Sequence, residues 1–132
     1  MANDAQFKLK TLFIATRGVS EYRATIEKWV KSTDFILEIG CERGTTSRVI
    51  YGKCKNLIAT DISRECIERA KVKNPDIRFE ILDAYNIQKA MSFGVKFTKI
   101  YIDVSGMSGY KSILDVLALL NMYSSILSRN QS

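Results

Sequence analysis

The sequence predicts a doubly wound α/β fold: a mainly parallel sheet of four visible strands with helices on both faces. Short apolar runs rich in Ile, Leu and Phe alternate with stretches of helical periodicity from residue 19 onward. That alternation builds βαβ units, whose right-handed crossovers make neighbouring strands parallel. An acidic residue also recurs at the ends of successive runs, at Asp61, Asp83 and Asp103, following Glu38 within the first run.

The first element is a helix over about 19–31, with Ser20 as its cap, Glu21 in the positive first turn, and Tyr22, Ile26, Trp29 and Val30 at helical spacing. The run Asp34 to Gly40 then reads as a buried strand that the glycine ends. Thr45 to Tyr51 suggests a helix that closes near Gly52. A second strand follows over Asn56 to Thr60, then a helix from Ser63 to Lys73 capped by Ser63, and a turn at Asn74-Pro75-Asp76. Ile77 to Leu82 is a third strand, Asn86 to Ser92 a short helix, and Phe97 to Ile102 a fourth strand.

Tyr110 to Leu127 reads as a long last helix whose apolar residues form a girdle wider than one core-facing stripe. Core burial accounts for most of that girdle, and the remainder suggests a homodimer through this C-terminal helix. With no strand after it, the sheet is expected to expose an edge beside its first or fourth strand.

A length of 132 residues suits one domain over 1–132, with the core at about 34–127. The chain has no histidine, which excludes Ser-His-Asp and Cys-His nucleophilic catalysis and histidine-ligated zinc or haem. Cys41, Cys54 and Cys66 are odd in number and 13 and 12 residues apart, so they indicate neither a disulfide framework nor a thiolate zinc site. No metal is expected. The amino terminus lacks the pattern of a signal peptide and no apolar run is long enough to span a bilayer, so the expected location is cytoplasmic, with no membrane partner. The net charge of +6 is concentrated at the two ends of the chain. It is compatible with an RNA partner through phosphate attraction, although no arginine-rich tract strengthens that reading.

In an open α/β sheet the carboxyl ends of the strands form the ligand crevice. Asp61, Asp83 and Asp103, separated by 22 and 20 residues, fall along that rim. The turn after the first strand reads Gly40-Cys41-Glu42-Arg43-Gly44, with glycines that let the backbone bend sharply and approach a ligand. A GxGxxG dinucleotide fingerprint would need glycines where Glu42 and Thr45 stand, and Glu42 would repel a pyrophosphate. A cofactor with hydroxyls, an adenine amine and a cationic centre suits the carboxylates better. Taken singly, the glycines could serve only the turn, and Asp61 or Asp83 could be helix caps.

The segments Phe35 to Gly44, Ile58 to Ser63, Phe79 to Ala84 and Ile100 to Asp103, in this order and spacing, resemble the class I, Rossmann-like S-adenosyl-L-methionine-dependent methyltransferases over about 19–127. The resemblance is to a short version without the family's C-terminal strands. It implies a methyltransferase that uses S-adenosyl-L-methionine, yields S-adenosyl-L-homocysteine and acts on RNA or a small molecule. Gly40, Cys41, Glu42 and Gly44 would line the loop under the methionine part, and Glu38 would hold its ammonium directly or through water. Asp61 would accept the ribose hydroxyls, Ile62 would pack on the adenine, and Asp83 with the Ala84 amide would meet its polar edge. Asp103 would stand beside the methyl group as the candidate catalytic residue, orienting the acceptor or binding the ammonium. The chain departs from the family at Glu42, where a glycine is usual, and at Thr98, where an aspartate commonly precedes the fourth strand. A non-catalytic domain that binds the cofactor and needs a partner or self-association to complete a site is the alternative.

Overall fold

Residues 19–103 and 113–127 are described by the structure, a computed structural model. In chain order the elements are α1 (Val19–Trp29), β1 (Ile36–Ile39), α2 (Thr45–Lys53), β2 (Leu57–Asp61), α3 (Arg64–Lys73), β3 (Arg78–Ile81), α4 (Ile87–Ser92), β4 (Lys99–Ile102) and α5 (Ile113–Ser124). Every predicted element is found, within a few residues at its ends. Ser63 caps α3 by accepting from the Cys66 amide, and Asn86 caps α4 by accepting from the Lys89 amide.

All strand pairs are parallel, in the order β3-β2-β1-β4. β1 pairs with β2 from Ile36 opposite Leu57 to Ile39 opposite Thr60, and with β4 from Ile36 opposite Lys99 to Ile39 opposite Ile102. The chain thus steps outward from β1 to β3 and returns to the far side of β1 for β4. This reversal is a topological switch point, where open α/β sheets carry their ligand crevice. It also decides between the two expected edges: β4 is an edge strand of the described sheet, with β3 at the other side, whereas β1 is internal.

Alternation along the strands sends side chains to two cores, one on each face. On one face, Ile26 and Val30 of the first helical segment, Ile50 of α2 and Ile67 and Ala70 of α3 pack with Ile36, Ala59 and Tyr101. On the other, Ala90 of α4, and Leu119, Tyr123 and Leu127 at the carboxyl end of the chain, pack with Leu37, Ile39 and Ile58. Both central strands, β1 and β2, are buried along their whole length, as a parallel sheet covered on both faces requires.

Two details of α1 differ from expectation. Ser20 lies inside the helix and is not its cap. Trp29 falls outside the buried stripe and is exposed, with the Lys28 ammonium 5.2 Å from its ring centroid. The expected start of the last helix, at residues 110–112, lies outside the described residues.

Below the sheet, Asp34 fastens β1 to β4. Its carboxylate accepts from the Lys31 amide at 2.7 Å, the Thr98 hydroxyl at 2.9 Å and the Lys99 ammonium at 2.8 Å. These bonds with Lys99, Lys31 and Thr98 outweigh the cost of burial and hold its pKa below the usual carboxylate value. Thr98, the departure noted in the sequence, thereby supplies a hydroxyl that satisfies Asp34 and also accepts from the Phe35 amide.

Candidate functional site

The turn leaving β1 crosses the switch point. The Gly40 and Cys41 amides both donate to the Thr60 carbonyl, at 2.9 and 2.8 Å, which folds the turn back over β2. Gly40 has φ 85°, and a Cβ there would stand 2.8 Å from the Asp103 carbonyl oxygen, so the end of β4 leaves no room for a side chain. Glu42 holds the left-handed conformation at φ 51°, the backbone state that the usual glycine would supply. Its amide donates to Asp61 Oδ2 at 2.8 Å, which ties the middle of the turn to the end of β2. Gly44, at φ 89°, packs where a Cβ would come within 3.0 Å of both Asn74 and Phe79, and α2 starts from it.

Asp61 is buried, and its second oxygen accepts from the Ser63 amide at 2.9 Å. A carboxylate offers about four lone-pair sites. With two amides bound, Asp61 keeps acceptor capacity while being fixed in place. The next residue, Ile62, is 63% exposed, an apolar side chain standing free at the crevice.

Glu38 lies lower, in the middle of β1, and is 1% exposed. Its Oε1 accepts from the Ser47 hydroxyl of α2 at 2.5 Å, and its carbonyl accepts from the Thr60 hydroxyl at 2.8 Å. Burial pushes its pKa up to about 7; the Ser47 bond opposes that rise, and the nearby charges of Asp103 and Asp61 add to it. Glu38 therefore underpins the turn from below. Cys41 is also turned inward, and burial, followed by the charges of Glu38 and Asp61, raises its thiol pKa, so it is no ready thiolate.

At the far end of the rim Asp83 is exposed and accepts from the Tyr85 amide at 3.0 Å. Ala84 is buried, and its carbonyl accepts from the Tyr123 hydroxyl at 2.7 Å, which ties the helical face of α5 to the rim. Burial pushes the Tyr123 phenol up to about 12, with the Asp83 charge contributing. Asp103 closes β4, and its amide donates to the Ile39 carbonyl at 2.9 Å. The segment that follows it, 104–112, lies outside the described residues.

The structure thus gathers Glu38, Gly40, Cys41, Glu42, Gly44, Asp61 and Asp103 around the switch point between β1, β2 and β4. Asp83, Ala84 and Ile62 extend the same rim toward β3. Two residues near the site were not singled out in the sequence. Ser47 carried no signal beyond its place one turn into α2. Tyr22 was visible only as part of an apolar stripe, yet its ring stands edge-on to Tyr101 at 5.4 Å. Burial raises the phenol's pKa strongly, and the charges of Glu38 and Asp103 raise it further, so its hydroxyl lies within electrostatic reach of both carboxylates. That hydroxyl is buried with no hydrogen-bond partner among the described residues.

Among solved structures, an amino pentose methyltransferase from Micromonospora echinaspora, bound to S-adenosylmethionine, is similar at TM-score 0.64 and 14% identity over 83% of this chain and 44% of that one. This chain has the class I methyltransferase fold. A second similar structure is an S-adenosylmethionine-dependent methyltransferase from Clostridium acetobutylicum, at TM-score 0.64 and 22% identity over 85% of this chain and 47% of that one. A third is a ribosomal protein methylase from Lactobacillus delbrueckii subsp. bulgaricus, at TM-score 0.63 and 17% identity over 87% of this chain and 57% of that one. The chain therefore spans about half the length of the structures it matches. No family model matches it, and no curated protein does.

Proposed function

We propose that this chain binds S-adenosyl-L-methionine across the carboxyl ends of its strands and is a methyltransferase for an RNA or small-molecule acceptor. The observation that carries the reading is the lock between Asp61 and the Gly40–Gly44 turn. A carboxylate fixed by two backbone amides, with acceptor capacity left, lies beside a glycine turn that passes directly over the end of β4. This set fits the cofactor: Asp61 for the ribose diol, Ile62 for the adenine face, Asp83 and the Ala84 amide for its polar edge, and the turn for the methionine part.

When bound, the cofactor supplies an electrophilic methyl group on a sulfonium. The chain's own part is positioning and electrostatics. Asp61 orients through bonds that need a carboxylate. Gly40 allows the backbone to approach where any Cβ would collide with Asp103. Glu38, held by Ser47, keeps the turn at its height and sets a carboxyl group below the cationic end of the ligand. Asp103, at the tip of β4, faces the position of the acceptor and would orient it or accept its proton.

An exposed apolar residue on α5 favours a second reading, in which the domain binds the cofactor and a partner or second copy completes the acceptor site. Leu117 of α5, 54% exposed, is an apolar residue that self-association would cover. Titration calorimetry of the purified protein with S-adenosylmethionine and S-adenosylhomocysteine, with ATP and NAD as controls, tests the cofactor. Selective micromolar binding supports both readings, and methyl transfer to RNA or small-molecule acceptors separates them. Absence of binding by folded protein rejects both.

A further inference from the structure

The turn that would carry the amino-acid end of the cofactor has already used most of its backbone donors. The amides of Gly40 and Cys41 go to the Thr60 carbonyl, that of Glu42 to Asp61, and that of Gly44 to the Cys41 carbonyl. Glu38 and Asp103 can receive a ligand ammonium, but neither, when ionised, can donate to a ligand carboxylate. A zwitterionic ligand end therefore finds few donors in the turn, and a side-chain hydroxyl beside it would add one to the first-turn amides of α2.

Tyr22 meets that description. It approaches from α1 and its ring is fixed edge-on against Tyr101. Its hydroxyl is buried without a partner among the described residues, within electrostatic reach of Glu38 and Asp103. A buried hydroxyl left without a partner is costly, and buried polar groups in native proteins are overwhelmingly bonded. A phenol stays neutral across the pH range in which carboxylates ionise, so it can donate to an approaching anion without a charge penalty.

We propose that Tyr22 is a ligand-binding residue whose hydroxyl donates to the carboxylate of the cofactor's amino-acid part, while the acidic groups beside it take the ammonium. The inference rests on the cofactor reading above. It gives α1, which contributes no residue to the strand-end rim, a direct part in selecting an α-amino acid over an amine. The hydroxyl, without a partner among the described residues, becomes bonded when the ligand arrives.

The test is Tyr22→Phe, which keeps the ring against Tyr101 and removes only the hydroxyl. Affinity for S-adenosylhomocysteine and for its decarboxylated analogue is measured by calorimetry on wild type and variant, and thermal unfolding is followed without ligand. The variant is expected to bind S-adenosylhomocysteine roughly tenfold to a hundredfold more weakly, the scale of a hydrogen bond to a charged group. It should bind the decarboxylated analogue as wild type does, and its ligand-free unfolding temperature should be unchanged or higher. Equal affinity of variant and wild type for S-adenosylhomocysteine overturns the proposal, as does an equal loss for both ligands. A clear drop in ligand-free stability also overturns it, because the hydroxyl would then be bonded within the protein. Failure of wild type to bind S-adenosylhomocysteine at all refutes the cofactor reading instead.

Discussion

Replacing Asp61 with alanine removes the group on which the proposed site depends, and its effect can be worked from two bonds. The carboxylate accepts from the Glu42 amide at 2.8 Å and from the Ser63 amide at 2.9 Å. Both are charge-assisted, and hydrogen bonds of that kind contribute about 1.5–3 kcal/mol each in net terms. Loss of the first releases Glu42, whose left-handed backbone already costs about 1–2 kcal/mol relative to an ordinary conformation. The turn should relax toward another geometry, and water can recover part of both bonds at the rim. A fall in folding stability of about 1–3 kcal/mol follows, measured by urea unfolding at pH 7. Cofactor affinity loses the ribose acceptor as well, another ~1–3 kcal/mol, or roughly fivefold to 150-fold in Kd by calorimetry. Asp61→Asn should fall between wild type and alanine, since the amide keeps one acceptor oxygen for two donors. A folded alanine variant that binds S-adenosylhomocysteine as tightly as wild type would sink the reasoning.

Three other perturbations probe the frame around the site. Gly40→Ala places a Cβ 2.8 Å from the Asp103 carbonyl oxygen at a backbone angle alanine resists, and should cost ~1–3 kcal/mol in urea unfolding; a neutral result would mean that β4 does not close on the turn. Glu38 has a folded pKa raised from 4.5 to about 7, so the native state holds its proton more tightly than the unfolded chain does. Its contribution is fully present below pH 4.5 and is lost as pH rises through about 7, on the order of 3 kcal/mol over that window. Stability profiles of wild type and Glu38→Gln should show the variant losing this slope. Asp34 has the opposite sign: its pKa is lowered in the fold, so its contribution is present at neutral pH and lost as pH falls below the ordinary carboxylate value. Asp34→Ala should cost ~2–3 kcal/mol at pH 7 and progressively less as pH falls below the ordinary carboxylate value, where wild type loses the same interaction.

The sequence made the alternation of strands and helices legible because β1 and β2 are covered on both faces, which leaves uninterrupted apolar runs, and because Ser63 and Asn86 cap their helices by the ordinary rule. The rim of acidic residues was legible for the same reason: strand ends were marked by the residue that broke each run. Strand order was not. Nothing in Lys99 to Ile102 states which neighbour it pairs with, and the return of the chain to the far side of β1 is a property of the whole sheet. Trp29 shows the limit of periodicity, since helical spacing places a residue near a face but cannot say how wide the buried stripe is. The acidic residues showed a similar limit. Spacing put Glu38 and Asp61 at the site, but only three-dimensional packing turns one onto Ser47 under the turn and the other onto the Glu42 amide. Tyr22 was legible as a core residue, and the destination of its hydroxyl was hidden because it depends on where β1 and β4 end.

The most direct test of the central claim is an amide NMR titration of the isotope-labelled protein with S-adenosylhomocysteine. The account predicts saturable shifts at Gly40 to Gly44, at Asp61 to Ser63, at Asp83 to Tyr85 and at Asp103, with Phe35 and Thr98 at the opposite end of the sheet unmoved. A titration that leaves the strand-end amides still, or moves only residues at that opposite end, would contradict it.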